Sequence, residues 1–464
     1  MNDTTELIQT IARQVMTLAQ ATLSQQPEAP APLNLAWIET SLRDLLRQIG
    51  AEALSHWLSA AQHTPEAERP CDCGGTLRYQ RYRPATLLSV FGRVTYKRAY
   101  YAGCVCGRGC APLDEQYALQ PGQVSAGLSE LLTLAGVELP FEHSQRWLKG
   151  FLLFDVSENT IRHETHTLGQ TQAAHETEWR QHSQDPAWLQ AHQRTPEPIP
   201  ARLYGSLDAA KVRIEPRKPA EKHAEHETWR DLKVGCWYEV EPVPVRQQST
   251  RQHAVTERGQ LCQRATHIHY YCDLTDAKAF GELMWASGCA VHADLTRELV
   301  FGCDGAAWIW NLITTYYSQA VQIVDWYHAA DRLQRVAQAA FSPGETRERW
   351  LEQTTAHLWE GRVTHVIQAC AMLGTPCPEA REAETYFANN QARMRYDQYR
   401  QAGYLIGSGT VESSCKQIVT QRLKCSGAQW LVPGAVDTAK ARAAWLSGDW
   451  TPVCTQWSTL PLAI

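Results

Sequence analysis

Three acidic residues, Asp208, Asp304 and Glu412, lie where a carboxylate can be presented to a ligand. Asp208 closes an apolar run containing Leu203, Tyr204 and Leu207, and Asp304 closes another through Leu299, Val300 and Phe301, so each is expected at a strand end. Glu412 falls just inside a helix opened by Gly407, Ser408 and Gly409. There the helix dipole favours a negative side chain, which can still turn toward a sheet. Oxygen donors from two strands and one helix suit a pair of magnesium or manganese ions, which prefer hard ligands and keep positions open for phosphate and water. One ion of such a pair activates a nucleophile and the other stabilises the leaving oxygen of an in-line displacement at a phosphodiester. Spacing alone leaves the plainer reading open, three ordinary acids among 49.

Thiols form a second constellation. Cys71 with Cys73 and Cys104 with Cys106 are two closely spaced pairs separated by a strand-rich segment, and thiolates on two tight turns suit tetrahedral zinc. Cys110 is an alternative to Cys104 or Cys106, and buried free thiols are the alternative to a metal. Between the pairs, Arg78, Arg81, Arg83, Arg93, Lys97 and Arg98 interleave with Tyr79, Tyr82 and Tyr96. That mixture fits a surface meeting DNA phosphates and groove edges, and it also fits a solvated strand face.

The elements that must position these residues follow from periodicity. Residues 1–69 read as a helical N-terminal region and 70–114 as a zinc-ribbon-like module. Residues 115–200 read as helical, with a helix-turn-helix and a polar linker over 171–200; Ser157 is placed to cap the second helix. Arg146, Lys149, Arg162 and His163 would be the base and phosphate readers of that motif. Residues 201–328 alternate strands and helices as a mixed sheet flanked by helices, with polar loops at 215–228 and 242–266. Residues 329–401 read as an all-helical insertion, 402–446 as the last helical part of the core and 447–464 as a tail. The expected class is therefore multidomain α/β. Lys211, Arg213, Arg217 and Lys218 follow Asp208, and Lys416, Arg422 and Lys424 follow Glu412, as candidate DNA contacts.

The segments SLDAAKVRI, FGCDGAAWIWNLI with VDWYHAADRL, and GSGTVESSCKQIVTQRLKCSGAQW resemble, in order, the catalytic blocks of DDE transposases. More narrowly, they resemble those of the ISKra-type bacterial insertion-sequence transposases, relatives of the Mutator-like group. The resemblance runs from about Cys71 to Trp445, and YYAGCVCGRGCAPLDE matches it apart from its cysteine spacing. It implies a ribonuclease-H-like core whose acidic triad falls at Asp208, Asp304 and Glu412, and an Asp-aromatic-His element at Asp325, Tyr327 and His328. His328 then contacts a phosphate or supports the site, or else serves as a structural histidine at a strand–helix junction. The helical insertion also matches, and Trp350, Trp359 and Tyr386 would stack on an extruded base or pack as core.

Composition narrows the classes. A formal net charge of −5 on 464 residues excludes a protein that holds DNA by global electrostatics, so local basic patches must do so. The first residues lack an export pattern and no apolar run spans a bilayer, which leads to a cytoplasmic expectation, nucleoid-associated when DNA is bound. Fifteen cysteines should then stay reduced. The expected partners are double-stranded DNA, as element ends and target, and a second copy on DNA, since two ends must be joined. Two alternatives remain at this point: a non-catalytic zinc-containing helix-turn-helix DNA-binding protein, and a ribonuclease-H-like DNA nuclease without strand transfer.

Overall fold

The computed structural model describes residues 12–21, 34–61, 64–192, 199–215, 229–243, 262–374, 376–407 and 409–450. They form two compact units. The first holds the chain up to Gly136 together with Phe141–Glu164, and the second holds Val137–Pro140 and the chain from Thr165 onward.

In the first unit, helix α1 (residues 12–21) and helix α2 (Leu35–Ala60) precede a three-stranded antiparallel sheet. Asn34 caps α2 by accepting the Trp37 N–H at 2.9 Å. The strands are β1 (Glu68–Pro70), β2 (Thr76–Ser89) and β3 (Gly92–Ala102). Strict alternation along β3 puts Val94 and Tyr96 inside and Arg93 and Lys97 outside. The inner residues pack with Leu58 of α2, Ala85, Leu87 and Leu113. Leu113 belongs to α3 (Pro112–Gln116), whose Asp114 accepts the Tyr96 hydroxyl at 3.0 Å and pairs with Arg98 at 2.5 Å.

Helices α4 (Ala126–Glu138), α5 (Phe141–Leu152) and α6 (Glu158–His182) follow. Leu128, Leu132, Leu148, Leu152, Val156 and Ile161 close a core among them in the first unit. Helices α5 and α6 are joined by a short turn where a helix-turn-helix was expected, with Leu153 at φ +61° in the turn and the Thr160 N–H donating to Ser157 Oγ at 3.1 Å. Helix α6 continues past the predicted boundary, so the polar stretch from Thr171 is largely helix. Its buried Trp179 packs with Ala286 and Cys289, and Glu176 meets Lys440, which gives this polar segment tertiary contacts that hydropathy does not reveal. A short α7 (Pro186–His192) follows.

The second unit is built on a five-stranded mixed sheet ordered β6-β5-β4-β7-β8. Its strands are β4 (Arg202–Arg213), β5 (Trp229–Val243), β6 (Cys262–Asp273), β7 (Glu298–Cys303) and β8 (Val321–Val324). The first three form an antiparallel meander, while β7 and β8 run parallel to β4. Strand β5 runs to Val243 and β6 begins at Cys262, so residues 242–243 and 262–266 are strand and not loop; 216–228 and 244–261 of the two expected loops lie outside the described residues, as do Arg217 and Lys218. Helices α8 (Ala277–Ala290) and α9 (Ala307–Tyr316) alternate with the later strands.

One face of this sheet is aromatic. Trp237 stacks near Tyr271 and meets Phe301 and Tyr317 edge-on at 5.4 and 5.6 Å. Gly205 and Gly235 make room, because a Cβ on either would lie within 2.4 Å of the Phe301 or Tyr271 ring. The insertion is helical throughout: α10 (Trp326–Ala340), α11 (Glu345–Trp359), α12 (Val363–Leu373), α13 (Pro378–Asn390) and α14 (Tyr396–Gln401). The chain then returns through α15 (Gly409–Cys415), a π-helical turn (Lys416–Thr420), α16 (Gln421–Leu423) and α17 (Val432–Ser447), which packs on β6.

Candidate active site and metal centre

Strand register decides where the acids go. Tyr204 pairs with Val300 across β4 and β7, and Val300 pairs with Val321 across β7 and β8. Counting on by twos puts Asp208, Asp304 and Asp325 in one row on one face of the sheet, opposite the aromatic face. Asp304 and Asp325 each follow directly on a strand end, as expected for Asp304. Asp208 is instead within β4, still paired to Val234 of β5; it lies beyond the last β4–β7 pair because β4 runs on to Arg213. Helix α15 lies against β4 and β5 and presents Glu412 in its first turn, as expected.

The tightest group of possible ligands in this row is Asp325, His328 and Glu412, with ligand atoms all within 4.8 Å of one another. Of the expected Asp208, Asp304 and Glu412, Glu412 belongs to this group, and the other two each accept a nearby backbone N–H. Asp208 accepts the Ala209 N–H at 2.7 Å and Asp304 accepts the Ala306 N–H at 2.9 Å. They remain coupled: burial raises the Asp208 pKa above its ordinary value, the Ala209 N–H opposes this, and the charge of Asp304 raises it further.

Asp325, fully buried, caps α10 by accepting the His328 N–H at 2.6 Å and also meets His328 Nδ1 at 3.0 Å. His328 Nδ1 lies 3.5 Å from Glu412 Oε1. The Asp325 hydrogen bond raises the His328 pKa to about 9, against burial and with help from the charges of Asp325, Glu412 and Asp304. His328 thus contacts both Asp325 and Glu412. His328 is more than a satisfied junction histidine, since it faces two carboxylates from different elements. Sequence reasoning met Asp325 only inside a motif, yet Val321, Ile323 and Val324 before it repeat the apolar-run-then-Asp pattern that singled out Asp304.

In the first unit, Cys71, Cys73, Cys104 and Cys106 form a second group within 4.8 Å, and Cys110 is not among them. Cys71 and Cys106 sulfurs are 3.6 Å apart and those of Cys73 and Cys104 3.3 Å. A tetrahedral ion with bonds of about 2.3 Å sets its sulfurs near 3.8 Å apart, so the four thiols fit a metal such as zinc with small movements. Each pair is held on a turn closed by Gly74 N–H to Cys71 O at 2.8 Å and Gly107 N–H to Cys104 O at 3.0 Å, with both glycines at positive φ. The Gly75 amide, followed by the neighbouring thiols, lowers the Cys73 pKa below its ordinary value.

The basic candidates divide by exposure. Arg81, Arg93, Lys97, Arg162, His163, Lys416 and Lys424 are exposed. Arg78, Arg146, Lys149, Lys211 and Arg213 are exposed or partly so, each beside a carboxylate: Glu68, Glu142, Asp155, Asp231 and Glu215. Three expected contacts are absorbed by the fold. Arg98 is held by Asp114, Arg83 lies on the Tyr100 ring at 3.7 Å, and Arg422 is 2% exposed over Trp430. Burial lowers the Arg422 pKa to about 10. Asn159, which shares the exposed α6 face with Arg162 and hydrogen-bonds to it, was missed. The aromatics of the insertion pack on neighbours: Trp350 on Phe341, Trp359 between Trp326 and Arg400, and Tyr386 under Arg332. No protein-family model matches the chain, and no curated protein matches it. Among the described residues no helix is long and apolar enough to cross a membrane.

Proposed function

We propose that the chain is a metal-dependent DNA strand-transfer enzyme, a transposase of the DDE class. In this reading it cuts the ends of an insertion sequence and joins their 3′-hydroxyls to target DNA. The observation that carries the reading is the row of Asp208, Asp304 and Asp325 on adjacent strands, with Glu412 brought to the same face by α15. An antiparallel meander followed by two parallel strands, interrupted by a helical block before Glu412, supports the ribonuclease-H-like core that the resemblance implies.

Asp208, Asp304 and Glu412 would hold two magnesium or manganese ions, which supply charge stabilisation and an activated nucleophile. Asp325 and His328 orient Glu412: the imidazolium supplies the cation that keeps α15's first turn against the strand ends. A π-helical turn follows α15 directly and buries Ile418 and Val419. In the first unit, a structural zinc at Cys71, Cys73, Cys104 and Cys106 would stiffen the strand module. Asn159, Arg162 and His163 on α6 would enter the major groove. A homodimer on DNA follows from the need to hold two ends.

The test is cleavage and joining of a labelled duplex carrying an end of the DNA element that encodes the chain, with magnesium or manganese. Asp208→Asn, Asp304→Asn and Glu412→Gln are each expected to abolish both products while DNA binding persists. Cleavage without joining would identify a nuclease. Binding without cleavage by the parent would identify a non-catalytic DNA-binding protein.

A further inference from the structure

Arg332 stands out because nothing in the active-site account above uses it. It lies one turn after His328 on α10, so the two side chains share a helix face. Its guanidinium sits over the Tyr386 ring, 4.1 Å from the centroid. Among the described residues it forms no ion pair, although Asp304 and Asp325 lie near enough to act with it on the Tyr386 hydroxyl; the neighbouring Arg335 pairs with Asp331 at 3.0 Å. An arginine beside several carboxylates that stacks on a ring keeps its N–H edge for another acceptor.

The platform is itself fixed to the site. Tyr386, on α13 of the insertion, donates its hydroxyl to the Asp304 carbonyl at 3.0 Å. Gly305, at φ +100°, lets the ring approach, since a Cβ there would come within 2.8 Å of it. The Tyr386 hydroxyl is thus held by Asp304's backbone while its ring face carries the Arg332 guanidinium. The insertion thereby ties Arg332 through Tyr386 to Asp304.

We propose that Arg332 is a phosphate-contacting residue of the strand-transfer site, gripping a phosphodiester of the bound DNA strand beside the one that reacts. The inference rests on the strand-transfer reading and deepens it. A planar fork offers two parallel N–H donors to phosphate oxygens, which a lysine's point charge does not reproduce. Tyr386 is a positioning residue: it sets the plane of the fork without touching DNA.

The experiment uses the full chain and Mn2+-dependent nicking of supercoiled plasmid DNA across a salt series, with Asp208→Asn as the inactive control. Arg332→Gln is expected to lower kcat/KM by roughly tenfold, as for loss of one charge-assisted hydrogen-bonded contact. It should also make the salt dependence shallower by about one unit. Arg332→Lys should keep the parent's salt slope but lose rate, which separates lost charge from lost folding. Tyr386→Leu should lose rate with the salt slope retained. If the parent nicks, Asp208→Asn does not, and Arg332→Gln matches the parent in rate and slope, the Arg332 inference falls alone. A parent that neither binds nor nicks this DNA overturns the strand-transfer reading and this inference with it.

Discussion

Gly74 and Gly75 are adjacent and needed for opposite reasons, so two alanine substitutions isolate the metal centre. Gly74 has φ +83° and nothing within 4 Å of where a Cβ would lie. Gly74→Ala therefore meets only the left-handed backbone penalty of about 1–2 kcal/mol. At Gly75 a Cβ would lie 2.6 Å from Cys104 Sγ and 3.4 Å from Cys73 Sγ. Reaching ordinary contact requires a sulfur displacement of about 0.8 Å, several times the roughly 0.2 Å within which metal–ligand distances are held. The expected result is metal content near one zinc per chain in the parent and Gly74→Ala, read by plasma mass spectrometry after dialysis. Gly75→Ala should carry less zinc, lose it faster to a chelator, and show more titratable thiols. Gly75→Ala holding zinc as tightly as the parent, or Gly74→Ala losing it, would refute the reasoning.

Other substitutions probe the supports of the site. Lys440 is 3% exposed and meets Glu176 at 2.5 Å and Asp273 at 3.3 Å; burial alone would lower its pKa, but these two carboxylates raise it. Lys440→Met leaves both acids without their cation and should destabilise the second unit by about 3–5 kcal/mol in chemical denaturation. Ser157→Ala removes the α6 cap and should cost about 1 kcal/mol, with weaker DNA binding if α6 reads the groove. Glu298 gives a pH signature. Burial pushes its pKa up, but the Tyr404 hydroxyl and Arg202 outweigh burial and hold it below its ordinary 4.5. A lowered carboxylate contributes stability that is full above 4.5 and disappears as pH falls through the lower folded value. Glu298→Gln should therefore melt below the parent at neutral pH, and the gap should close in acid; a pH-independent gap would contradict the assignment.

How much of this was legible in the sequence varies with the physics involved. Apolar runs ending in Asp304 and Glu412's glycine-opened helix were readable because they depend on a few neighbouring residues. The cysteine group was readable for the same reason, yet only the folded turns exclude Cys110, whose backbone is tied to Tyr101 in an isolated bridge. The extent of β4 was not readable: Asp208 looked like a terminus because its apolar run ends there. The strand continues through Ala209 to Arg213 because β5 supplies partners to its far end. Arg98 and Arg422 looked like their exposed neighbours, since only tertiary contacts with Asp114 and Trp430 reveal the first as half-buried and the second as buried.

Charge also explains why Asp325 and His328 belong in the account of the site. Asp208, Asp304, Asp325 and Glu412 bring four carboxylates to one end of the sheet, and His328 is the cation that contacts two of them. Burial chiefly raises the Asp208 pKa, and the charge of Asp304 adds to it. A fold stabilised only by its own contacts would gain from replacing one acid with a neutral residue, so retaining all four costs stability unless cations arrive from solution. Thermal stability should then rise with manganese in the parent and rise less in Asp208→Asn and Glu412→Gln. In the metal-free state Asp208→Asn should leave the melting temperature unchanged or higher, whereas Glu412→Gln also loses the His328 contact and should melt slightly lower. A variant that melts well below the parent without metal would mean that its carboxylate serves the fold, and the cation-site argument would fail at that residue.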